Sequence, residues 1–378
     1  MVDAASKVVS SSCDSQACSE GIGMINSLDY SAAVRKMRRF FEKKGWVEVH
    51  TQSRLSILAA CEDPNTISTY NYAGQVWPLP QTGQMWLEYE LLKNPEWLGV
   101  FCVSTSFRNE PNPVPGRHDK VFPMFEFEMR GSMDDLVKLE AEMLEYVGFG
   151  SQDEFAHKDY RKLAEEYGVM ELEHEHEERM CNENGDVVFL EDFPNLTSPF
   201  WNMKQADDGV SAKKVDVIMH GVETIGSAER STNVEEMKQM FYNISDGGYA
   251  SILFANFTKE RVEAELEEFL KFDFFERCGG GIGVTRMIRA MKLSGILHEP
   301  LPEDVRLAEL EAEARAKDEV SKLEEELLLK TKRSRCWGLP VAPSDKRKRN
   351  LGAAIGAATV AAGEKAMEVA AEHAASLL

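Results

Sequence analysis

Apolar residues first recur at helical spacing between Ser31 and Lys44, where Val34, Met37, Phe40 and Phe41 share one face and Gly45 stops the run. Trp46-Val-Glu-Val-His50 then alternates as a strand does. Leu98 to Phe107 reads as a buried strand. Val121 to Arg130 alternates strongly, with Val121, Pro123, Phe125, Phe127 and Met129 on one face and Phe122, Met124, Glu126 and Glu128 on the other. The Pro- and Gly-rich loop Asn109-Glu-Pro-Asn-Pro-Val-Pro-Gly-Arg-His118 joins these two strands, so the pair predicts an antiparallel hairpin. Helices are predicted at 133–147, 157–168, 234–243 and 259–271, and strands at Lys213–Met219 and Gly221–Ala228. From Phe272 to Lys292 a short apolar stretch leads into Gly279-Gly-Gly-Ile-Gly-Val-Thr-Arg286 and then a helix. Together these predict an α+β fold, a mostly antiparallel sheet flanked by helices.

The ends of the chain read differently. Residues 1–27 are small, polar and aperiodic, and are expected to be disordered. Residues 28–300 hold the predicted α+β domain. Residues 301–333, rich in Glu, Ala, Leu and Lys, predict a charged helix whose stripe of Leu307, Leu310, Ala314, Leu323 and Leu327 is imperfect. Residues 334–378 form a basic linker and an Ala-rich tail, with a possible amphipathic helix from Leu351 to Leu378. No internal repeat suggests a solenoid.

The 378 residues carry 43 Lys and Arg against 64 Asp and Glu, a formal charge of −21. Acidity of this size argues against a protein that wraps nucleic acid over its whole surface. Two basic clusters remain, Lys330-Thr-Lys-Arg-Ser-Arg335 and Lys346-Arg-Lys-Arg349. No window of about 18 apolar residues exists, so no membrane span is expected. The first residues lack a secretory pattern, which points to a cytoplasmic protein. The seven cysteines are scattered and none pair as C-x-x-C, as in a reduced compartment. His174 and His176 lie in Glu171-Leu-Glu-His-Glu-His-Glu-Glu178, which reads as a solvated acidic face rather than a metal tract.

Two features carry chemistry. The glycines at 279–283 demand close backbone approach, either to a ligand or to another element. They fit a dinucleotide fingerprint poorly, because they come late in an antiparallel pattern. The hairpin collects Arg108, Arg117 and His118 beside Glu110, Glu126 and Glu128, close to Phe122. Such ionic groups are either a ladder of structural pairs or a site for a phosphorylated, amine-bearing substrate. In the second case Arg holds phosphate, Glu holds ammonium and Phe stacks on a ring.

These residues resemble a known family. Ser106-Phe-Arg-Asn-Glu110 resembles motif 2 of the class II aminoacyl-tRNA synthetases, and Gly279 to Arg286 resembles their motif 3. The spacing of Arg117, His118, Phe122, Glu126 and Glu128 is similar to the aspartyl/asparaginyl subgroup, as is that of Asp216, Glu223 and Arg230. Gln81-Thr-Gly-Gln-Met-Trp-Leu-Glu88 resembles the asparaginyl form more than the aspartyl form. The resemblance covers roughly residues 30–295 and implies a class II synthetase-like catalytic domain using ATP and Mg²⁺. It implies that Arg108 and Arg286 grip phosphate as catalytic residues, that Arg117, His118 and Gly283 also lie on ATP, that Glu110 reads the adenine and that Phe122 stacks on it. It implies that Asp216 and Glu223 hold the metal, Glu223 also touching ATP, and that Gln84, Glu126 and Arg230 bind the amino acid.

The departures from that pattern bear on function. Only about 27 residues precede the core, so the N-terminal β-barrel with which these synthetases grip the anticodon is expected to be absent. After Glu48-Val-His-Thr51 the family has Pro where this chain has Gln52, and where aspartyl enzymes have Lys this chain has Leu87, followed by Glu88. A core without its anticodon domain resembles the asparaginyl-synthetase-related asparagine synthetases, in which ammonia attacks an aminoacyl-adenylate. The first expectation is therefore an AMP-forming ligase for an aspartate- or asparagine-like amino acid, with ammonia or a small amine as acceptor. The alternatives are an Asn/Asp-type tRNA ligase using residues 330–349, and a non-catalytic ATP-binding protein. A homodimer through the first helix and strand is expected, with Phe40, Phe41 and Trp46 supplying apolar surface.

Overall fold

The computed structural model describes residues 23–59, 64–114, 117–197 and 199–336. The chain separates into two compact units, Met1–Leu297 and His298–Leu378.

The first unit opens with α1 (Ser27–Lys43). It begins earlier than its apolar face predicts because the Asn26 side chain accepts from the backbone N–H groups of Leu28 and Asp29. β1 (Val47–Glu48), the hairpin β2 (Ser68–Tyr72) and β3 (Gln75–Leu79), α2 (Gln84–Lys93), β4 (Gly99–Phe107) and β5 (Val121–Arg130) follow. Then come α3 (Met133–Val147), β6 (Ala156–Asp159), α4 (Tyr160–Tyr167), α5 (His174–Asn184), β7 (Val187–Pro194), β8 (Ser211–Met219) and β9 (Val222–Glu229). The unit ends with α6 (Val234–Asn243), α7 (Gly248–Phe257), α8 (Lys259–Phe269), β10 (Arg277–Gly283) and α9 (Val284–Leu293). α3 is set by a capping box of Ser132 and Asp135, and Gly148 in the left-handed region ends it.

Eight strands form one sheet in the order β1-β4-β5-β10-β9-β8-β7-β6. The pairings are antiparallel except β1 with β4 and β6 with β7. The expected hairpin is β4–β5, with Gly99 opposite Met129 and Phe107 opposite Val121. The segment expected to be helical from 157 starts as β6, and α4 begins only after Asp159, whose carboxylate caps Lys162 N–H.

One sheet face packs on α1, α3 and α9, burying Phe101, Phe125 and Phe127 against Phe41, Leu136 and Met287. The other carries α2 and α6–α8 around Trp201, whose ring meets Phe241 and Phe269 edge-on. Between these helices that second face stays open over β4, β5, β8, β9 and β10. The expectation of uncovered apolar surface at Phe40, Phe41 and Trp46 is corrected. They are 6%, 1% and 9% exposed within a single chain. Trp46 lies so close over Gly99 that a Cβ there would come within 2.5 Å of its ring. The homodimer expectation loses that support.

The second unit contains α10 (Pro302–Cys336), matching the predicted charged helix. Along it, i to i+4 pairs such as Arg315 with Glu311 and Lys322 with Asp318 stabilise an exposed surface. The second basic cluster and the Ala-rich tail lie outside the described residues. No helix among those described is long and apolar enough to cross a membrane.

Candidate active site

The open face holds a cavity with two lobes. The outer lobe, about 200 Å³, is lined by Arg108, Glu110, Arg117, His118, Phe122, Glu223, Gly283 and Arg286. The inner lobe, about 160 Å³, is lined by Gln84, Glu88, Glu126, Lys214, Asp216 and Arg230. Both lobes share Arg108, Met124, Glu223, Gly226 and Gly281. Every site residue singled out from sequence except Glu128, which is fully buried, thus lines one lobe or the other.

Strand geometry explains the convergence. Arg108 follows β4 directly, where its N–H donates to Lys120 O at 2.8 Å. Its guanidinium lies 5.7 Å over the Phe122 ring. Arg286 stands in the first turn of α9; it donates to Glu223 O at 2.7 Å and to Arg117 O at 3.4 Å. Its guanidinium is 3.7 Å from the Glu223 carboxylate. Burial would raise the Glu223 carboxyl, but Arg286, Lys214, Arg108 and Arg117 outweigh it and hold the group below the usual range. Burial pushes His118 below the usual imidazole range, helped by Arg286, Arg117 and Arg108 and opposed by Glu110.

Three polar atoms around this cavity are buried with no hydrogen-bond partner: Arg108 Nε, His118 Nδ1 and Gln84 Oε1. Buried polar atoms are nearly always satisfied, so unpartnered ones lining a cavity are groups that a ligand could satisfy.

Behind the inner lobe lies a balanced ionic cluster, of which Glu88 and Arg230 border the cavity while Glu128 and Arg277 are fully buried behind them. Glu88 and Glu128 face Arg230 and Arg277, and all four are at most 4% exposed. Arg230 NH2 lies 3.3 Å from Glu128 Oε2 and donates to Gly279 O at 2.9 Å. Arg277 donates to Glu88 at 2.7 Å, and Asn202 donates to the other Glu88 oxygen at 2.7 Å. Gln84 Nε2 donates to Glu128 at 2.5 Å. Burial, together with Glu88, raises the Glu128 carboxyl against the pull of Arg230 and Arg277. Leu87 is fully buried in a small apolar cluster with Leu91 and Val100, so Glu88 and not Leu87 borders the cavity. Glu126 is clamped: Gly83 N–H donates at 2.8 Å, Ser104 Oγ at 2.5 Å, and Thr82 Oγ1 also donates.

Asp216 and Glu223 converge over Gly226. A Cβ placed there would meet Glu223 Oε1 at 3.1 Å and Asp216 Oδ1 at 3.4 Å. Two carboxylates meeting at one point suit a hard cation that takes few protein ligands, so these residues fit Mg²⁺.

Sequence reasoning missed Glu177 and Lys214. Glu177, on α5, comes from the run expected to be a solvated face. Its carboxylate lies 2.5 Å from the Arg117 guanidinium and accepts from Glu223 N–H at 2.8 Å. Burial and Glu223 raise its carboxyl, against Arg117. One carboxylate among many in an acidic helix carries no mark in the sequence. Lys214 pairs with Asp216 at 3.2 Å, and its place two residues away was the available signal.

A family model described as class II tRNA synthetases (D, K and N) matches residues 27–296. The chain belongs to this family, whose members are ligases that form aminoacyl-adenylates. Among solved structures, the asparaginyl-tRNA synthetase of Pyrococcus horikoshii complexed with asparaginyl-adenylate is similar, with TM-score 0.58 and 18% identity over 71% of this chain and 65% of that one. The Entamoeba histolytica asparaginyl-tRNA synthetase in complex with asparaginyl-adenylate gives 0.55 and 16%, over 71% and 64%. A putative aspartyl-tRNA synthetase from Leishmania major Friedlin gives 0.54 and 15%, over 69% and 61%. The chain spans less than two thirds of the length of each of these neighbours, and at such identities the likeness is one of fold. No curated protein matches the chain.

Proposed function

We propose that the chain activates an amide-bearing amino acid with ATP, forming an aminoacyl-adenylate and pyrophosphate. In this reading the outer lobe takes the nucleotide. Arg108 and Arg286 hold the phosphates, Arg117 and His118 lie toward their outer end, Phe122 stacks on the purine, and Glu110 accepts from its amino group. Gly283, at the turn into α9, leaves room beside them. The amino acid lies in the inner lobe, its α-ammonium facing Glu126 and its side chain facing Gln84 and Arg230. Carboxylate attack at the α-phosphorus needs the carboxylate and the ATP polyanion aligned and their charge neutralised rather than a protein nucleophile, and the arginines supply that. Asp216 and Glu223 would hold Mg²⁺, which when bound neutralises phosphate charge.

The balanced ionic cluster carries the choice of substrate. Glu88 and Glu128 already match Arg230 and Arg277, so a side-chain carboxylate would bring an unmatched negative charge beside Glu128. A side-chain amide is neutral: its oxygen can accept from Arg230 while its NH₂ donates to a glutamate. Buried polar groups left unpaired give large discrimination. The asparaginyl-adenylate complexes among the fold neighbours are in keeping with this reading. Amino-acid-dependent pyrophosphate exchange across the twenty amino acids tests it. Asn should exceed Asp by at least about tenfold and Lys should be inert; exchange with Asp equal to that with Asn would sink the reading.

For the acyl acceptor, the net charge of −21 favours ammonia or a small amine over a polyanion. The second reading, transfer to tRNA, is favoured by the fold neighbours, which are tRNA synthetases.

A further inference from the structure

Lys214 and Asp216 occupy alternate positions of β8, so strand geometry puts both side chains on the same face. Both line the inner lobe, and Lys214 Nζ lies 3.2 Å from Asp216 Oδ2 with the side chains 13% and 8% exposed. The ammonium is steadied from another side by the Phe193 ring, 4.4 Å away. A half-buried pair held in this way differs from a surface ion pair, which is loose and screened. On the far side of Asp216 stands Glu223, which has its own cation in Arg286 at 3.7 Å. Each carboxylate that converges over Gly226 is therefore matched by a protein cation before any metal arrives. A divalent ion entering between them meets Lys214 as a like charge across a few ångströms, where solvent screening is weak.

We propose that Lys214 is a positioning residue for the carboxylate pair: its ammonium takes the place beside Asp216 that a divalent cation would otherwise fill. The free protein then holds no divalent ion tightly there, a consequence that rests on the Lys214–Asp216 pair and not on the ATP reading above.

The test uses the full chain without nucleotide and Mn²⁺ as the probe, with free Mn²⁺ read by electron paramagnetic resonance. Lys214→Gln should bind Mn²⁺ at least about tenfold more tightly than the unaltered protein, from loss of one like charge at short range. Lys214→Arg should stay near the unaltered value, and Lys214→Gln with Asp216→Asn should lose the gain. Equal Mn²⁺ affinity for Lys214→Gln and the unaltered protein overturns the proposal. Should Lys214→Gln not fold by far-ultraviolet circular dichroism, the unaltered protein decides alone: tight Mn²⁺ retention without nucleotide overturns the proposal, and Mn²⁺ that stays free supports it. Calorimetric titration with metal-free ATP separates the two readings. No ATP binding, with the Lys214→Gln gain intact, removes the ATP reading and leaves the built-in cation standing.

Discussion

At the scale of single residues, the site is defined by what its side chains lack. Arg108 Nε, His118 Nδ1 and Gln84 Oε1 are buried and unpartnered around one cavity, while the arginine beside them, Arg286, braces the walls through Glu223 O and Arg117 O. Arg286→Ala should weaken ATP binding by roughly 2–4 kcal/mol, the cost of leaving phosphate charge unpaired, with little change in melting temperature. Isothermal titration reads this directly, and unchanged ATP affinity would remove Arg286 from the site. Glu140 tests a different kind of residue. It lies on α3, is 1% exposed, and neither carboxyl oxygen has a hydrogen-bond partner. Burial pushes its carboxyl up to about 8, against Ser227 nearby, which pulls it down. Between the ordinary carboxylate pKa and that value the folded chain holds a proton that the unfolded chain has lost. Stability from this group therefore falls as pH rises from about 4.5 to about 8 and is flat on either side. Glu140→Gln should raise stability at pH 8 by roughly 2–4 kcal/mol and change it little at pH 4.5. Thermal melts across that range check the sign; a gain that is the same at both ends would refute the buried-acid account.

At the scale of elements, the glycines of β10 divide into two roles that the sequence alone leaves equal. A Cβ at Gly280 would meet Ser227 Cβ at 2.2 Å and Gly226 O at 2.5 Å, both fixed in the neighbouring strand. A Cβ at Gly281 would meet Met124 Cε at 2.6 Å, the far end of a flexible side chain lining the cavity. Gly280→Ala should therefore cost about 3 kcal/mol or more, or prevent folding, while Gly281→Ala should fold and lose ligand affinity. Denaturant unfolding of the two variants compares them, and equal stability would contradict the packing argument. The same contrast explains what could be read from sequence. β5 was legible because its two faces alternate, and β4 because it opens with a continuous apolar run. The site's residues were legible through the resemblance of their motifs to the family, since of them only Phe122, Glu126, Asp216 and Glu223 sit on β5, β8 or β9. β7, the β2–β3 hairpin, α2 and α7 were not. β7 is buried on both faces for half its length, α2 buries the consecutive residues Met85 to Glu88 and so has no single apolar face, and Tyr70 and Tyr72 on β2 are exposed, so none has a periodic signal. The Lys214–Asp216 and Arg117–Glu177 pairs depend on tertiary placement that no local pattern encodes.

At the scale of the whole molecule, chemistry and charge separate along the chain. Every candidate site residue from Gln84 to Arg286 lies in the unit Met1–Leu297, whereas the charged helix α10 belongs to the unit His298–Leu378. The first basic cluster begins within the range of α10, at 330. The carboxylate excess of the chain repels a polyanion except where such a patch intervenes. The two acceptors can therefore be told apart by shortening the chain. If the acceptor is ammonia or a small amine, a chain ending at residue 300 should keep both pyrophosphate exchange and amine-dependent AMP release, within about threefold of the full chain once folding is verified. If the acceptor is tRNA and residues 330–349 hold it, the same truncation should keep exchange but lose acylation, and acylation by the full chain should fall steeply with salt, because each phosphate contact releases counterions. Exchange itself should depend far less steeply on salt in both cases, since its few phosphate contacts are gathered in one cavity rather than spread along a polyanion. Acylation of tRNA by the full chain at a rate matching its ATP turnover would reject the small-amine reading, whatever the truncated chain retains.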